Sequence, residues 1–286
     1  DVRHTYYTGR SRGFICMPRP EVMRHMLAGE NLALITNRQV AVGGMKHAWV
    51  AEYCTDYHVL ETAYASAYVY PLYLYPTADR DDLFAYHEAQ ERRPNLNPSL
   101  VSAQAEAYGK APAPEDLLHY IYAVLYAPTY REKYGDFLRT DFPRIPFTAN
   151  FALFESLAAL GNRLVDLHLL RSEELDRPAA RFQGEGDNRV AGTKGKVFRY
   201  EPKEERVYIN KTQCFEPVPL ELWEYQIGGY QVLAKWLKDR KDRVLSLEEI
   251  KTYCRIVTAI QKTIEIQEEI DALYPEVERQ IVRNIA

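Results

Sequence analysis

Cysteine is scarce in this sequence, and nothing pairs it. Cys16, Cys54, Cys214 and Cys254 are the only thiols in 286 residues, and none has the close neighbour that a zinc knuckle requires. They read as reduced, mostly buried thiols of a cytoplasmic protein. Long apolar runs are lacking too: none approaches the roughly 20 residues of a membrane span, and no signal peptide is recognisable. The seven histidines include no i,i+4 ligand pair, so metal catalysis has little support. No glycine-rich strand-to-helix turn leads to an acidic ribose ligand, and no serine sits in a nucleophile elbow. Gly192-Thr-Lys-Gly-Lys196 imitates a phosphate loop, but its spacing is wrong and no hydroxyl follows Lys196 to hold a metal. It reads as a solvated basic loop, with loose phosphate contact as the alternative. Nothing assembles into a catalytic constellation.

What is present is a globular composition, 47% hydrophobic and 27% charged, on a chain long enough for one large domain or two close lobes. The net charge of −4 argues against a uniformly basic coat. The charge is nevertheless uneven. Residues 1–50 hold seven bases and three acids, net +4, which leaves −8 for the remainder. Basic surface on an acidic body suits a protein that grips a polyanion with one side.

Short β-branched or aromatic runs dominate the first part: residues 5–7, 13–16, 32–36, 49–53 and 67–74, interrupted by a helix from Pro20 to about Leu27. A charged connector spans 79–98. Helices are expected near Ser99–Tyr108, Pro114–Tyr126, Pro128–Leu138 and Asn150–Leu170. Residues 177–196 read as a Gly- and charge-rich loop and a candidate mobile segment. A hairpin follows, with strands at 197–200 and 206–209. The end is helical: a short element over 219–227, a helix over 230–240, and a long one capped by Ser246 with Glu248 and Glu249 in its first turn. Ile250, Tyr253, Val257, Ile260 and Ile264 form its stripe. We therefore expect an α+β fold, with a strand-rich N-terminal part and a hairpin packed against several helices, ending in a long amphipathic helix.

The helix opened by Gly228-Gly229 is the most informative stretch. Val232, Leu233, Trp236 and Leu237 share one face, while Lys235 to Arg243 carries five bases against Asp239 and Asp242. Such a face suits phosphates. Gly228 and Gly229 read as turn and packing residues, with close backbone approach to a ligand as the alternative. Arg10, Arg12, Lys211, Lys235, Lys238 and Arg240 are the candidates for phosphate contact, which positions a nucleic acid without reading it. Asn37, Arg38, Gln39, Asn210 and Gln213 lie at strand ends and belong to the side-chain types that pair with adenine or guanine edges. Capping of strand-end turns is the alternative for these five. Tyr68, Tyr70, Tyr73 and Tyr75 fit a core strand whose hydroxyls reach the rim, or phenols donating to phosphates. His25 reads as a capping or partly buried residue, and Asp79, Asp81 and Asp82 as solvated acids.

The sequence Ile227-Gly-Gly-Tyr-Gln-Val, followed by Lys235-Trp-Leu-Lys-Asp-Arg240, resembles the C-terminal specificity region of Type ISP restriction–modification enzymes. Ordered blocks extend the resemblance over nearly the whole chain: Arg3-His-Thr-Tyr-Tyr7, Arg19-Pro-Glu-Val-Met-Arg-His-Met26, Tyr70-Pro-Leu-Tyr-Leu-Tyr-Pro76, Tyr126-Ala-Pro-Thr-Tyr-Arg131, Asp141-Phe-Pro-Arg-Ile-Pro146 and Arg206-Val-Tyr-Ile-Asn-Lys-Thr-Gln213. In that group a nuclease, an ATP-dependent translocase, an adenine methyltransferase and a target-recognition domain share one polypeptide. The resemblance implies a target-recognition domain across 1–286, with a strand-rich lobe (1–78), a helical segment (79–176), a loop and hairpin (177–218) and C-terminal helices (219–286). It implies double-stranded DNA and the methyltransferase domain of the same polypeptide as partners. It further implies S-adenosylmethionine, ATP and Mg²⁺ for the full-length enzyme, none of them in this chain, and a bacterial or archaeal cytoplasm. The Asn/Asp-Pro-Pro-aromatic block of adenine methyltransferases is absent, since Asn97-Pro98 continues into Ser-Leu, so this chain is not expected to be an enzyme on its own. It begins at Asp1, from which we expect an excised piece of a longer polypeptide, with removal of a Met by processing as the alternative. The rival reading is a structural module that couples domains without reading bases, its 246–282 helix used for docking; a second is a free-standing hydrolase or transferase.

Overall fold

One helix carries the apolar stripes of two separate cores, and that decides the architecture. The computed structural model describes residues 19–40, 44–56, 59–60, 67–76, 92–192 and 198–282. The expected strands at 5–7 and 13–16 lie outside them, as does most of the 79–98 connector.

Strand β1 (Ala33–Asn37) is the centre of a three-stranded antiparallel sheet between β2 (Ala48–Ala51) and β3 (Ala67–Pro71). Ile35 lies opposite Trp49 and Val69, and Leu34 opposite Val50 and Tyr70, so the two sets face opposite sides. Helix α1 (Pro20–Leu27) brings Met23 and Met26 against Ala33 and Val69. The strand expected to run to Leu74 breaks at Leu72. Asn31 takes over there, accepting from Tyr73 N at 3.1 Å and donating to Tyr73 O at 2.8 Å. Residues Tyr73–Leu74 (β4) then pair with Arg93–Pro94 (β5) instead.

Helices α2 (Pro98–Tyr108), α3 (Pro114–Tyr126), α4 (Pro128–Lys133), α5 (Gly135–Leu138) and α6 (Phe151–His168) follow. The single helix expected over 128–138 divides at Tyr134, whose φ of −102° and ψ of 13° leave the helical region. Asn97 and Asn150 cap α2 and α6 through their side-chain oxygens. Helices α3 and α6 touch backbone to backbone at Gly161, where a Cβ would stand 1.9 Å from the His119 carbonyl oxygen.

A second sheet has the order β6 (Arg181–Gln183), β9 (Cys214–Glu216), β8 (Arg206–Tyr208), β7 (Arg199–Glu201), all antiparallel. Its β7–β8 hairpin was expected; β6 and β9 were not. Helix α7 (Leu220–Glu224) leads into a hairpin of β10 (Gln226–Ile227) and β11 (Tyr230–Gln231), then α8 (Val232–Lys238). The glycine pair is thus the turn of a hairpin and not a helix hinge. Gly228 has φ +58° and donates to Lys46 O at 2.7 Å, while Gly229 donates to Leu60 O at 2.9 Å. The hairpin therefore fastens the C-terminal half onto segments that flank the first sheet.

Helix α9 (Leu247–Arg279) opens with a capping box in which Ser246 and Glu249 bond each other's backbone N–H. Its first half buries Ile250, Tyr253, Val257 and Ile260 against the four-stranded sheet and α8. Its second half buries Ile266, Ile270, Tyr274 and Val277 against α3, α4 and α6. Its length is 33 residues, so at about 1.5 Å per residue it is a spine of about 50 Å. Cys54, Cys214 and Cys254 are free thiols, the last two buried. No described helix is long and apolar enough to cross a membrane.

Candidate nucleic-acid interface

At the end of β1 the three polar residues that follow one another take different positions. Asn37 is 1% exposed, and neither its amide nitrogen nor its oxygen finds a hydrogen-bond partner. Arg38 points outward with 57% of its side chain exposed, its Nε 3.2 Å from Asp141 Oδ1 and its guanidinium 5.9 Å from the Phe142 ring centre. Gln39 is exposed and reaches the Thr140 carbonyl at 3.5 Å. A hydrogen bond from the Phe142 backbone, reinforced by Arg38, holds the Asp141 carboxyl below its ordinary range. Tyr68 and Tyr70 stand exposed beside this group, and Phe142 meets both rings edge-on at 4.9 and 6.2 Å. Tyr73 and Tyr75 instead donate inward, to Glu115 and to the Glu30 carbonyl. Behind Tyr70 and Phe142 an apolar groove of about 250 Å³ runs over Leu34, Leu118, Ile121 and Leu125.

The second strand-end cluster is built inward. Gln213 is 2% exposed. Its oxygen accepts from Asn188 N and Asn210 Nδ2, both at 2.9 Å, and its amide donates to Asn188 Oδ1 at 2.7 Å. Asn210 Oδ1 accepts from Thr212 N and Gln213 N at 3.1 and 2.8 Å, an Asx turn. The alternative reading, capping of a strand-end turn, is where the structure places these two amides. Lys211 between them is exposed. The 177–196 segment expected as a loop contains β6, and Gly184 and Gly186 within it serve close approach. A Cβ at Gly184 would stand 2.1 Å from Thr212 O, and one at Gly186 would stand 2.6 Å from Gln213 Oε1.

The basic helix divides similarly. Lys238 and Lys241 are exposed, with no ion-pair partner among the described residues. Lys235 is half-buried and pairs with Asp239. Arg240 differs from the expectation of a phosphate ligand: it is 6% exposed, stacked 3.7 Å from the Trp236 ring centre, with Nε 3.2 Å from Glu249. Its charge is answered inside the protein. Burial pushes the Glu249 carboxyl up, but the Ser246 N–H, Arg243 and Arg240 together outweigh it and hold the acid below its usual range.

These two clusters, far apart in sequence, meet. Arg189 donates to Asp242 O at 2.6 Å, Asp242 N to Val190 O at 2.8 Å, and Asn210 Nδ2 to Arg189 O at 3.1 Å. The turn after β8 and the segment after α8 are therefore one surface, to which Asn188 and Arg189 belong although neither was singled out from sequence. An Asp-Asn dipeptide after two glycines was the available signal. The Asn37–Gln39 cluster lies on the other sheet. Arg10, Arg12, the three acids of the connector and Lys194–Lys196 lie outside the described residues. His25 is 4% exposed, and its Nδ1 accepts from Tyr75 N at 2.9 Å, which makes it a buried structural residue.

A family model described as the Type ISP C-terminal specificity domain matches residues 1–269. No curated protein matches the sequence. Among solved structures, the chain is similar to one in a cryoEM DrdV–DNA complex, with 22% identity and a TM-score of 0.65 over 88% of this chain and 26% of that one. It is also similar to a nuclease-deletion mutant of the Type ISP restriction–modification enzyme LlaGI in complex with a DNA substrate mimic, at 19% identity and a TM-score of 0.56, covering 85% of this chain and 21% of that one. The ATP-dependent Type ISP enzyme LlaBIII bound to DNA matches at 18% identity and a TM-score of 0.61, covering 85% and 16%. At these identities the likeness is one of fold. The chain spans about a quarter or less of the length of each.

Proposed function

The chain belongs to the Type ISP C-terminal specificity domain family, and from that premise we propose that it holds duplex DNA and reads a short target site for a larger restriction–modification enzyme. The observation that carries this reading is the open end of β1. Arg38 and Gln39 stand exposed at the end of a strand hydrogen-bonded on both sides, so a rigid scaffold aims them. Those side chains pair with guanine and adenine edges respectively. Asn210 and Gln213, proposed from sequence beside them, hold the turn that carries Lys211, and Asn37 is buried beneath the strand end. Lys211, Lys235, Lys238 and the N-terminal Arg10 and Arg12 contact phosphates, and Arg240 contributes by fixing α8 to α9.

In the full-length enzyme, a methyltransferase domain would methylate adenine at N6 with S-adenosylmethionine, and a translocase and nuclease would use ATP and Mg²⁺ in the cytoplasm. The residues described here do not fit those groups. No cluster of three His, Cys, Asp or Glu among them could hold a metal ion, and the groove behind Tyr70 is lined by no charged side chain. We assign that chemistry to other domains.

A coupling module is the second reading, and the apolar groove beside Phe142 favours it. Salt dependence separates the two. Binding of a mixed-sequence duplex by the chain should weaken steeply as salt rises, because each neutralised phosphate releases a counterion. Arg38→Ala in the full-length enzyme should then relax preference at one position of the site, a contact typically worth about 1–3 kcal/mol for the right base only. Salt-insensitive binding, or no binding, removes the DNA reading in favour of coupling.

A further inference from the structure

We propose that the 185–192, 209–213 and 240–245 segments form one preorganised head that grips the DNA backbone through Arg189, Lys211 and Lys241, with Gln213 as its positioning residue. The inference rests on the DNA-binding reading above. Its starting point is the density of long-range hydrogen bonds where no strand or helix requires them. A buried glutamine amide spends its oxygen and its nitrogen on Asn188, 25 residues away. Thr212 Oγ1 ties the same turn to Glu185 O at 2.8 Å. On the other side, Val190 N bonds Arg243 O at 2.9 Å and Leu245 N bonds Asn188 O at 2.9 Å. Ala191 N bonds Ile209 O at 2.7 Å, a further tie to the turn after β8. The 185–192 segment is thus cross-linked to each of the other two, and the glycines at 184 and 186 let the chain lie close against the 209–213 turn.

Charge then selects the partner. Across the three segments five bases (Arg189, Lys211, Arg240, Lys241, Arg243) stand against three acids (Glu185, Asp187, Asp242), and three of the carboxylates close by are ion-paired: Asp187 with Arg189, Asp239 with Lys235, and Glu249 with Arg240 and Arg243. Lys211 and Lys241 are left exposed with no ion-pair partner among the described residues, and 53% of the Arg189 side chain is exposed. Cations held on a rigid frame lose little freedom on meeting a regularly spaced polyanion, and phosphates are what such groups position. A flexible loop tip with the same residues would forfeit much of that gain.

The test is fluorescence anisotropy of the full chain with a labelled mixed-sequence duplex over a salt series. Lys211→Ala with Lys241→Ala removes no hydrogen bond of the frame. It should weaken every duplex about tenfold at moderate salt and flatten the slope of log K against log salt by up to about two units. Lys251→Ala, on the outer face of α9, should change neither. Gln213→Ala, measured below its melting temperature with helix content verified by circular dichroism, should lose affinity and slope toward the double variant. A residue that only stabilised the fold would leave both at the wild-type value, which would overturn its positioning role. If the wild type binds with steep salt dependence and the double variant does likewise, the head is not the grip, and the wider reading survives. If the wild type does not bind, both fall.

Discussion

The hydroxyl of Thr263 gives its proton to the Ala259 carbonyl at 2.7 Å, so toward His168 Nε2, 2.9 Å away, it can only accept. That fixes the tautomer: Nε2 carries the proton, and Nδ1 accepts from the Tyr122 hydroxyl at 2.6 Å. The ring is also stacked on Trp49 at 4.9 Å. Burial, with Arg131 adding to it, pushes the His168 pKa down to about 3. The folded value lies below the unfolded one, so the unfolded chain binds the extra proton. Stability is full above about pH 6.5 and falls as pH drops below it. Denaturant titrations should show the wild type losing about 1.4 kcal/mol more than His168→Gln between about pH 7.5 and about pH 5.5. Equal losses would mean that the ring protonates as freely folded as unfolded. The same scale explains what was hidden at the candidate site. Residue type alone marks Asn210 and Gln213 as equally fit for adenine or for a turn. Asn188 engages the Gln213 amide in the fold, and nothing near Gln213 in sequence reveals its approach. The place of Arg38 and Gln39 at a strand end was legible because it needs no distant partner.

Elements with strong local signals were readable in the sequence. Proline at the start of α1 and α3 and the Ser246–Glu249 box of α9 marked helix beginnings close to where they lie. Strands β6 and β9 were invisible because they pair with each other across about 30 residues, whereas the equally short β7 and β8 are joined by a local turn. The division at Leu72 was likewise set by Asn31, which lies 42 residues from Tyr73. Gly161 is another case in which tertiary approach overrides propensity. Alanine is the better helix former by about 1 kcal/mol, but its Cβ would overlap the His119 carbonyl, and overpacking costs typically about 1–3 kcal/mol or more. Gly161→Ala should therefore lower the melting temperature. Gly135→Ala in α5, where a Cβ meets nothing within 4 Å, should leave it unchanged or raise it. A stabilised Gly161→Ala would show that α3 and α6 can separate at no cost.

At the scale of the whole molecule, two cores share α9 but the first sheet reaches the C-terminal half by a second route, the β10–β11 hairpin. Among the described residues that route includes the Gly228 N–H to Lys46 O, the Gly229 N–H to Leu60 O, and Lys46 Nζ to Gln226 Oε1 at 3.2 Å. An alanine at 228 meets two penalties together: a positive φ that disfavours a Cβ, and a Cβ position 1.9 Å from the Leu60 carbonyl oxygen. Relief requires the hairpin to lift from the 45–60 region, whereas the contacts of α9 with both cores are untouched. Gly228→Ala should consequently weaken protection unevenly. Hydrogen exchange by mass spectrometry should quicken in peptides covering 44–60 and 225–231, with those from the centre of α9 retaining wild-type rates. Uniform acceleration throughout α9 would mean that the hairpin supports both cores and not just the connection between them. The same variant bears on recognition. If the Arg38 end of the first sheet and the Gln213 head must engage one duplex together, loosening the hairpin reduces affinity most for duplexes long enough to reach both surfaces. Short duplexes, gripped by the head alone, should bind as they do to the wild type.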